Sequence, residues 1–228
     1  MNVCGRISAA CLLTGVVGLA PSCFAADVGV NAGGTRFGVE VRSLADIRND
    51  QVVRQRWDYS CGSAALSTVL SYHLGDPTPE TAVVVSILRR ADPIRVRSRG
   101  GFSLLDLKHY LARRGYDSAG FVDLGLDELE NFDIPPIVPV SLKGYDHFVV
   151  FRGRYGDRVV LADPAFGNLT MSVTRFTELW QSRIAFVIRG EEPEITGNRL
   201  AVESLPFPNP SLAQRVIADG KFRRVSVQ

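Results

Sequence analysis

The sequence predicts an α+β fold with helices first and an antiparallel sheet after them. Between residues 62 and 114, apolar side chains recur at spacings of three and four. Between 136 and 190, short β-branched runs alternate with turns. The 228-residue chain is 46% hydrophobic, 22% charged and 9% aromatic, the balance of an ordinary globular protein with one real core. A formal charge of +2 supplies no basic footprint, which excludes nucleic acid as a partner.

In chain order, the first feature is Arg6, then an apolar run over residues 7–20, then Pro21 and small residues. This is the layout of a secretory signal peptide, with cleavage expected after Ala25 and a periplasmic or secreted product. An uncleaved anchor is the alternative, although the run is shorter than the ~20 residues a span requires. A lipoprotein signal fits poorly, because Ala20-Pro21-Ser22 precedes Cys23. No later stretch is long and apolar enough to span a bilayer, so no stable span is expected after cleavage. Cys4, Cys11 and Cys23 all fall within residues 1–25, leaving Cys61 as the one thiol of the mature chain. A single Cys forms no internal disulfide. An unpaired thiol outside the cytosol is a liability unless it has a task, the alternative being a buried small hydrophobe.

Residues 26–49 read as an N-terminal extension, with one strand around "FGVEVRSL" and glycines on both sides. The main domain is expected over 50–190. Its first helix covers 62–74, where Ala65, Leu66, Val69 and Leu70 make one buried face and Gly62, Ser63 and Ala64 permit close packing. A second is expected over 79–90, with Thr78 as cap and Pro79 in the first helical position. A third covers 104–114: Ser103 and Asp106 resemble a capping box, Leu104, Leu107 and Leu111 form the inner stripe, and Gly115 stops it. Four strands follow, in "PIVPVSL", "HFVVFRGRY", "DRVVLADP" and "IAFVIRG", with turns at Gly144, Gly156-Asp157 and residues 164–168. Residues 191–228, with Pro206, Pro208 and Pro210, read as an appendage holding one short helix.

Cys61 stands at the start of the first helix, where unpaired amides and the helix dipole favour a thiolate. Nucleophilic catalysis also needs a base and a group that orients it. His73 lies twelve residues on in the same helix, about 18 Å along the axis at ~1.5 Å per residue, and is out of reach. His109 falls on the polar face of its helix. His147 opens the strand "HFVVFRG", and Asp163 ends the neighbouring "DRVVLADP". With Gly156-Asp157 as the hairpin turn, the two sit on adjacent antiparallel strands and can hydrogen-bond. Each has a plain alternative, a strand-end His and a turn-forming Asp before Pro164. The Cys61 N–H is one candidate donor to an oxyanion, and the side-chain amide of Gln55 is a second. Trp57, Asp58, Tyr59 and Phe166 are candidates to line a substrate cleft, with packing as their alternative role.

Gln55 six residues before Cys61-Gly62, then His147-Phe148-Val149-Val150, then Asp163-Pro164, resemble the papain-like peptidases of the bacteriocin-processing type, family 39 of the cysteine peptidases. The resemblance covers about residues 50–190. It implies a papain-like fold with N-terminal helices packed on a C-terminal antiparallel sheet, and no cofactor. It also implies roles: Cys61 as nucleophile, His147 as base and then acid, Asp163 as orienter, Gln55 in the oxyanion hole. Many members are fused to a membrane exporter and remove leader peptides after a double-glycine motif. This chain instead has a signal segment and no "G-x-x-x-x-G-K-[ST]". Free-standing exported members resemble accessory proteases of secretion systems, including those exporting functional amyloid or other surface fibres. The expected partner is therefore a polypeptide substrate, such as a secretion-system or fibre component.

Two other readings stay open: a non-proteolytic peptide-binding or assembly module on the same fold, and a transferase whose acyl-enzyme is resolved by an amine. Metal catalysis is not expected, because no "H-E-x-x-H" occurs and one mature Cys with three scattered His makes no zinc set.

Overall fold

The computed structural model describes residues 26–32, 35–41, 43–142, 144–189 and 197–201. The signal segment expected at 1–25 and most of the expected appendage lie outside these residues. The chain divides into two compact units, the first ending at Arg42 and the second beginning at Ser43. In the first unit, strands β1 (Ala26–Ala32) and β2 (Thr35–Val41) pair as an antiparallel hairpin, from Ala26 opposite Val41 to Ala32 opposite Thr35. Two strands therefore stand where the sequence suggested one.

The second unit opens with helix α1 (Leu44–Asn49), closed by a Ser43/Asp46 capping box. Helices α2 (Cys61–Thr68), α3 (Glu80–Leu88), α4 (Pro93–Arg99) and α5 (Leu104–Arg113) follow. Then come β3 (Asp117–Phe121), α6 (Leu126–Glu130), β4 (Ile137–Leu142), β5 (Tyr145–Tyr155), β6 (Arg158–Asp163), β7 (Gly167–Ser172), α7 (Val173–Leu179) and β8 (Ala185–Arg189). The six strands form one antiparallel sheet in the order β3-β8-β4-β5-β6-β7. The α+β architecture and its antiparallel sheet are those the sequence predicts.

The sheet is covered on both faces, and the period-2 alternation of its strands divides the core. Ile137, Val150, Ala162, Phe186 and Ile188 point into a core shared with Leu66, Val69 and Leu70 and with Leu107 and Leu111 of α5. Val138, Val140, Val149, Phe151, Val159 and Leu161 point the other way, onto Phe176, Leu179 and Trp180. Double coverage explains why these strands read as continuous apolar runs.

Helix α2 is the central element. The sequence suggested one buried face, but every residue from Cys61 to Thr68 is buried. A helix enclosed on all sides needs small side chains. Gly62 shows why: a Cβ there would stand 3.2 Å from Cδ2 of Phe148 and 3.5 Å from Cδ1 of Leu107. The helix starts at Cys61, one residue earlier than expected, and its last turn, Val69–His73, widens into a π-helix.

Three expectations are corrected. Thr78 does not cap α3. Pro79 holds the N-cap position with extended backbone (ψ 140°), and helical geometry begins at Glu80. The Thr78 hydroxyl is used elsewhere, donating to the Asp76 carbonyl at 3.0 Å and accepting from Arg114 at 2.8 Å. Among the described residues of this unit the strands number six rather than four. β3, with the sequence DSAGF, has little β propensity and is recruited by pairing along β8. β7 begins directly after the turn formed by residues 164–166, inside a stretch read as turn to residue 168.

Buried Arg152 binds distant segments to the sheet, donating to the Leu200 carbonyl (2.7 Å), Asn168 Oδ1 (3.0 Å) and Gln51 Oε1 (3.0 Å). Asn168 Nδ2 in turn donates to the carbonyls of Ile47 and Asp50, fixing α1 on β7. Gly167 lies at this junction with φ +82°, and a Cβ there would overlap the Arg48 carbonyl. Gly167→Ala is expected to lower stability by about 1–3 kcal/mol or more, since strain and overlap add. A lower urea midpoint at unchanged slope is the expected result.

Candidate active site

The site forms where the start of α2 meets the ends of β5 and β6. Cys61 is the first residue of α2 and only 6% exposed. Ser60 occupies the N-cap without a side-chain capping bond. The amides of the first turn, that of Cys61 included, have no intrahelical acceptor.

His147 lies near the beginning of β5, opposite Val140 of β4. Its Nε2 stands 2.9 Å from Asp163 Oδ1 at the end of β6. A carboxylate only accepts, so Nε2 carries the proton and donates, leaving Nδ1 for the hydrogen bond with Cys61. The β5–β6 register brings the pair together: Val150 faces Ala162, and a bulge between Phe151 and Gly153 adjusts the strand toward the turn.

Asp163 is 2% exposed, and its Oδ1 also accepts from the backbone N–H groups of Ala165 (2.7 Å) and Phe166 (3.1 Å). The turn-forming and imidazole-holding readings of Asp163 are therefore both realised in one side chain. The same turn is joined to the segment bearing Gln55. The Gln55 N–H donates to the Pro164 carbonyl at 2.9 Å, Arg54 Nε donates to it at 3.2 Å, and the Arg54 guanidinium also reaches the Ala165 carbonyl.

Burial is the largest single influence on His147 and pulls its pKa down. The hydrogen bonds and negative charges of Asp163 and Cys61 together outweigh it, raising the value from 6.5 to about 9. The ring is thus an imidazolium at neutral pH. A folded value above the unfolded one means that this proton stabilises the fold fully below about 6.5. That contribution is lost as pH rises through about 9.

Gln55, Cys61 and His147 line one cleft of about 260 Å³ together with Asp58 and Phe166. Gln55 Nε2 gives one proton to the Trp57 carbonyl at 3.0 Å, and the amide has a second to offer. A larger groove of about 500 Å³, lined by Tyr59, Leu88, Val96 and Arg97, shares Asp58, Gly100 and Tyr145 with the first. Of the residues the sequence proposed for substrate, Asp58 lines both, Tyr59 the groove and Phe166 the cleft. Trp57 instead stacks on Tyr59, with centroids 6.5 Å apart. Tyr145 and Gly100 were not singled out from sequence. Tyr145, 78% exposed and two residues before His147, left a signal in its type and position. Gly100 left little, because it ends α4, an arginine-rich helix with no regular apolar stripe.

The other histidines stay apart. His73 is buried, its Nδ1 accepting from the Arg199 N–H at 3.4 Å, and burial with the charge of Arg199 pushes its pKa down to about 4. His109 is exposed on α5. Among the described residues no group of His, Cys, Asp and Glu could hold a metal ion, and no helix is long and apolar enough to cross a membrane.

A model of the Peptidase C39 family matches residues 49–192. The chain belongs to this family. It is a cysteine-type peptidase, as the residue resemblance implied. A protein of Pseudomonas aeruginosa called a probable functional amyloid protease FapD is 38% identical over 152 residues, 67% of this chain and 66% of the relative. A protein of the same description from Pseudomonas fluorescens is 36% identical over 188 residues, covering 82% of this chain and 80% of the relative. Among solved structures, the peptidase domain of Streptococcus ComA, a bifunctional ABC transporter of a quorum-sensing pathway, superposes with a TM-score of 0.52. At 22% identity it covers 61% of this chain and 98% of that domain, and it shares the fold.

The raised His147 value has a direct check. An NMR titration of its ring should show a midpoint near pH 9 that falls toward 6.5 in both Asp163→Asn and Cys61→Ala. A wild-type midpoint at or below 6.5 would show that the two partners do not outweigh burial.

Proposed function

We propose that this C39 peptidase is the protease of an export system for amyloid or similar surface fibres, cleaving a peptide bond in an exported polypeptide. The observation that carries the catalytic part is the 2.9 Å His147–Asp163 hydrogen bond with Cys61 on the other ring nitrogen. The setting is supported by the two relatives described as functional amyloid proteases. The signal-like segment at residues 1–25 favours a periplasmic or secreted site of action.

The chemistry follows from the proton on His147. Cys61 attacks the scissile carbonyl as a thiolate with the imidazolium as its counter-ion. The carbonyl π electrons move to oxygen, and that oxyanion is held by the Cys61 N–H and the free amide proton of Gln55. As the C–N bond breaks, His147 Nδ1 protonates the leaving amine, and a thioester to Cys61 remains. Water then attacks the thioester with neutral His147 taking its proton, which releases the acid and restores the ion pair. Asp163 remains an acceptor throughout and keeps the ring in the productive tautomer. Asp58, Tyr59 and Phe166 contact the bound polypeptide, and Trp57 stacks on Tyr59.

The test uses protein beginning at Ala26 and a fluorogenic peptide library. Wild type should cleave a subset of sequences. Turnover should fall about 10³-fold or more in Cys61→Ala and His147→Ala, and about 10²–10³-fold in Gln55→Ala. Cleavage that survives Cys61→Ala would place the chemistry elsewhere.

A further inference from the structure

The mechanism leaves one buried acid unused. Glu80, the first residue of α3, is 4% exposed. Its carboxylate turns back onto the loop before the nucleophile: Oε1 and Oε2 accept the Arg56 N–H at 3.1 and 3.2 Å, and Oε1 accepts the Ser60 hydroxyl at 2.5 Å. The hydroxyl has a single proton and two acceptors in reach, Glu80 Oε1 and the Trp57 carbonyl at 2.8 Å, and the shorter bond to the carboxyl is its stronger use. Ser60 Oγ is then free to accept the Trp57 N–H at 3.2 Å. The Trp57 carbonyl collects the Ser60 N–H at 3.1 Å and the Gln55 amide at 3.0 Å.

This chain of bonds ends at both groups assigned to the oxyanion. Ser60 immediately precedes the Cys61 N–H, and Trp57 holds the Gln55 side chain. Ser60 occupies the helix N-cap, yet its hydroxyl is turned away from the capping role that serine normally fills there. Burying a carboxylate is costly unless it is hydrogen-bonded, and here its donors, the Arg56 N–H and the Ser60 hydroxyl, both lie on this loop. Resting on the catalytic reading above, we infer that Glu80 is a positioning residue of the oxyanion hole, acting through Ser60 and Trp57 on the Cys61 N–H and Gln55. It does not touch substrate, and it is bonded to neither His147 nor the thiol.

The distinguishing test compares two reactions of Cys61. Alkylation by iodoacetamide is a displacement at carbon that forms no oxyanion, whereas reversible addition of a peptide aldehyde forms a hemithioacetal whose oxygen occupies the hole. In Glu80→Ala the aldehyde should bind about 10–100-fold more weakly and kcat should fall by a similar factor, with KM changed less than about threefold. The iodoacetamide rate should stay within about twofold of wild type. Glu80→Gln, which keeps an acceptor at the Oε1 position, should recover most of the loss. Ser60→Ala should move in the same direction by a smaller factor, and it keeps the test open if Glu80→Ala does not fold. Alkylation falling in parallel with kcat would assign Glu80 to the nucleophile or to the fold, and unchanged aldehyde binding would remove it from the site; either overturns the proposal. Wild type that binds no aldehyde in a Cys61-dependent way would overturn the catalytic reading itself, and this inference with it.

Discussion

Asp163 Oδ1 accepts three hydrogen bonds at once, from His147 Nε2 and from the backbone N–H groups of Ala165 and Phe166. The two backbone bonds fix the carboxylate within its own turn. The third therefore reaches an imidazole whose partner is already immobile. The same turn offers the carbonyl of Pro164 to the Gln55 N–H and to Arg54. One buried oxygen and its turn thus hold the His147 ring and anchor the segment that carries Gln55. Loss of this carboxylate would release both, which makes it the constraint on which the geometry depends.

The fold delivers these groups by enclosing α2. A helix built from Gly62, Ser63, Ala64 and Ala65 can lie close against β5, with Phe148 beside Gly62 and His147 next in sequence. Larger residues would hold the helix away from the sheet and separate Cys61 from the ring. Close approach removes water from the thiol and imidazole, and burial alone would drive the proton off His147. Negative charge on Asp163 and Cys61 reverses that tendency. Packing and electrostatics are opposed at this ring, and the second prevails.

Much of this was legible in the sequence because the relevant spacings are local. His147 and Asp163 belong to one hairpin, and Gln55 and Cys61 to one loop, so turn chemistry and helix-start signals were enough to associate them. The Ser103/Asp106 capping box was legible for the same reason. What escaped depends on tertiary context. The α2 pattern of Ala65, Leu66, Val69 and Leu70 announced one apolar face, whereas small polar residues on the other faces are also enclosed by neighbouring elements. Thr78 looked like a cap until Arg114, 36 residues away, claimed its hydroxyl. β3 owes its extended form to β8, far along the chain. Glu80 was not singled out from sequence, because its contact with Ser60 spans twenty residues with no periodic signal.

The central claim is that His147, oriented by Asp163, activates Cys61 as a nucleophile. The most direct measurement is the rate of Cys61 alkylation by iodoacetamide at neutral pH in wild type, His147→Ala and Asp163→Asn. The account predicts that wild type reacts about 10-fold or more faster than His147→Ala, with Asp163→Asn between the two. Equal rates in all three proteins would describe a thiol that no neighbour activates and contradict the account.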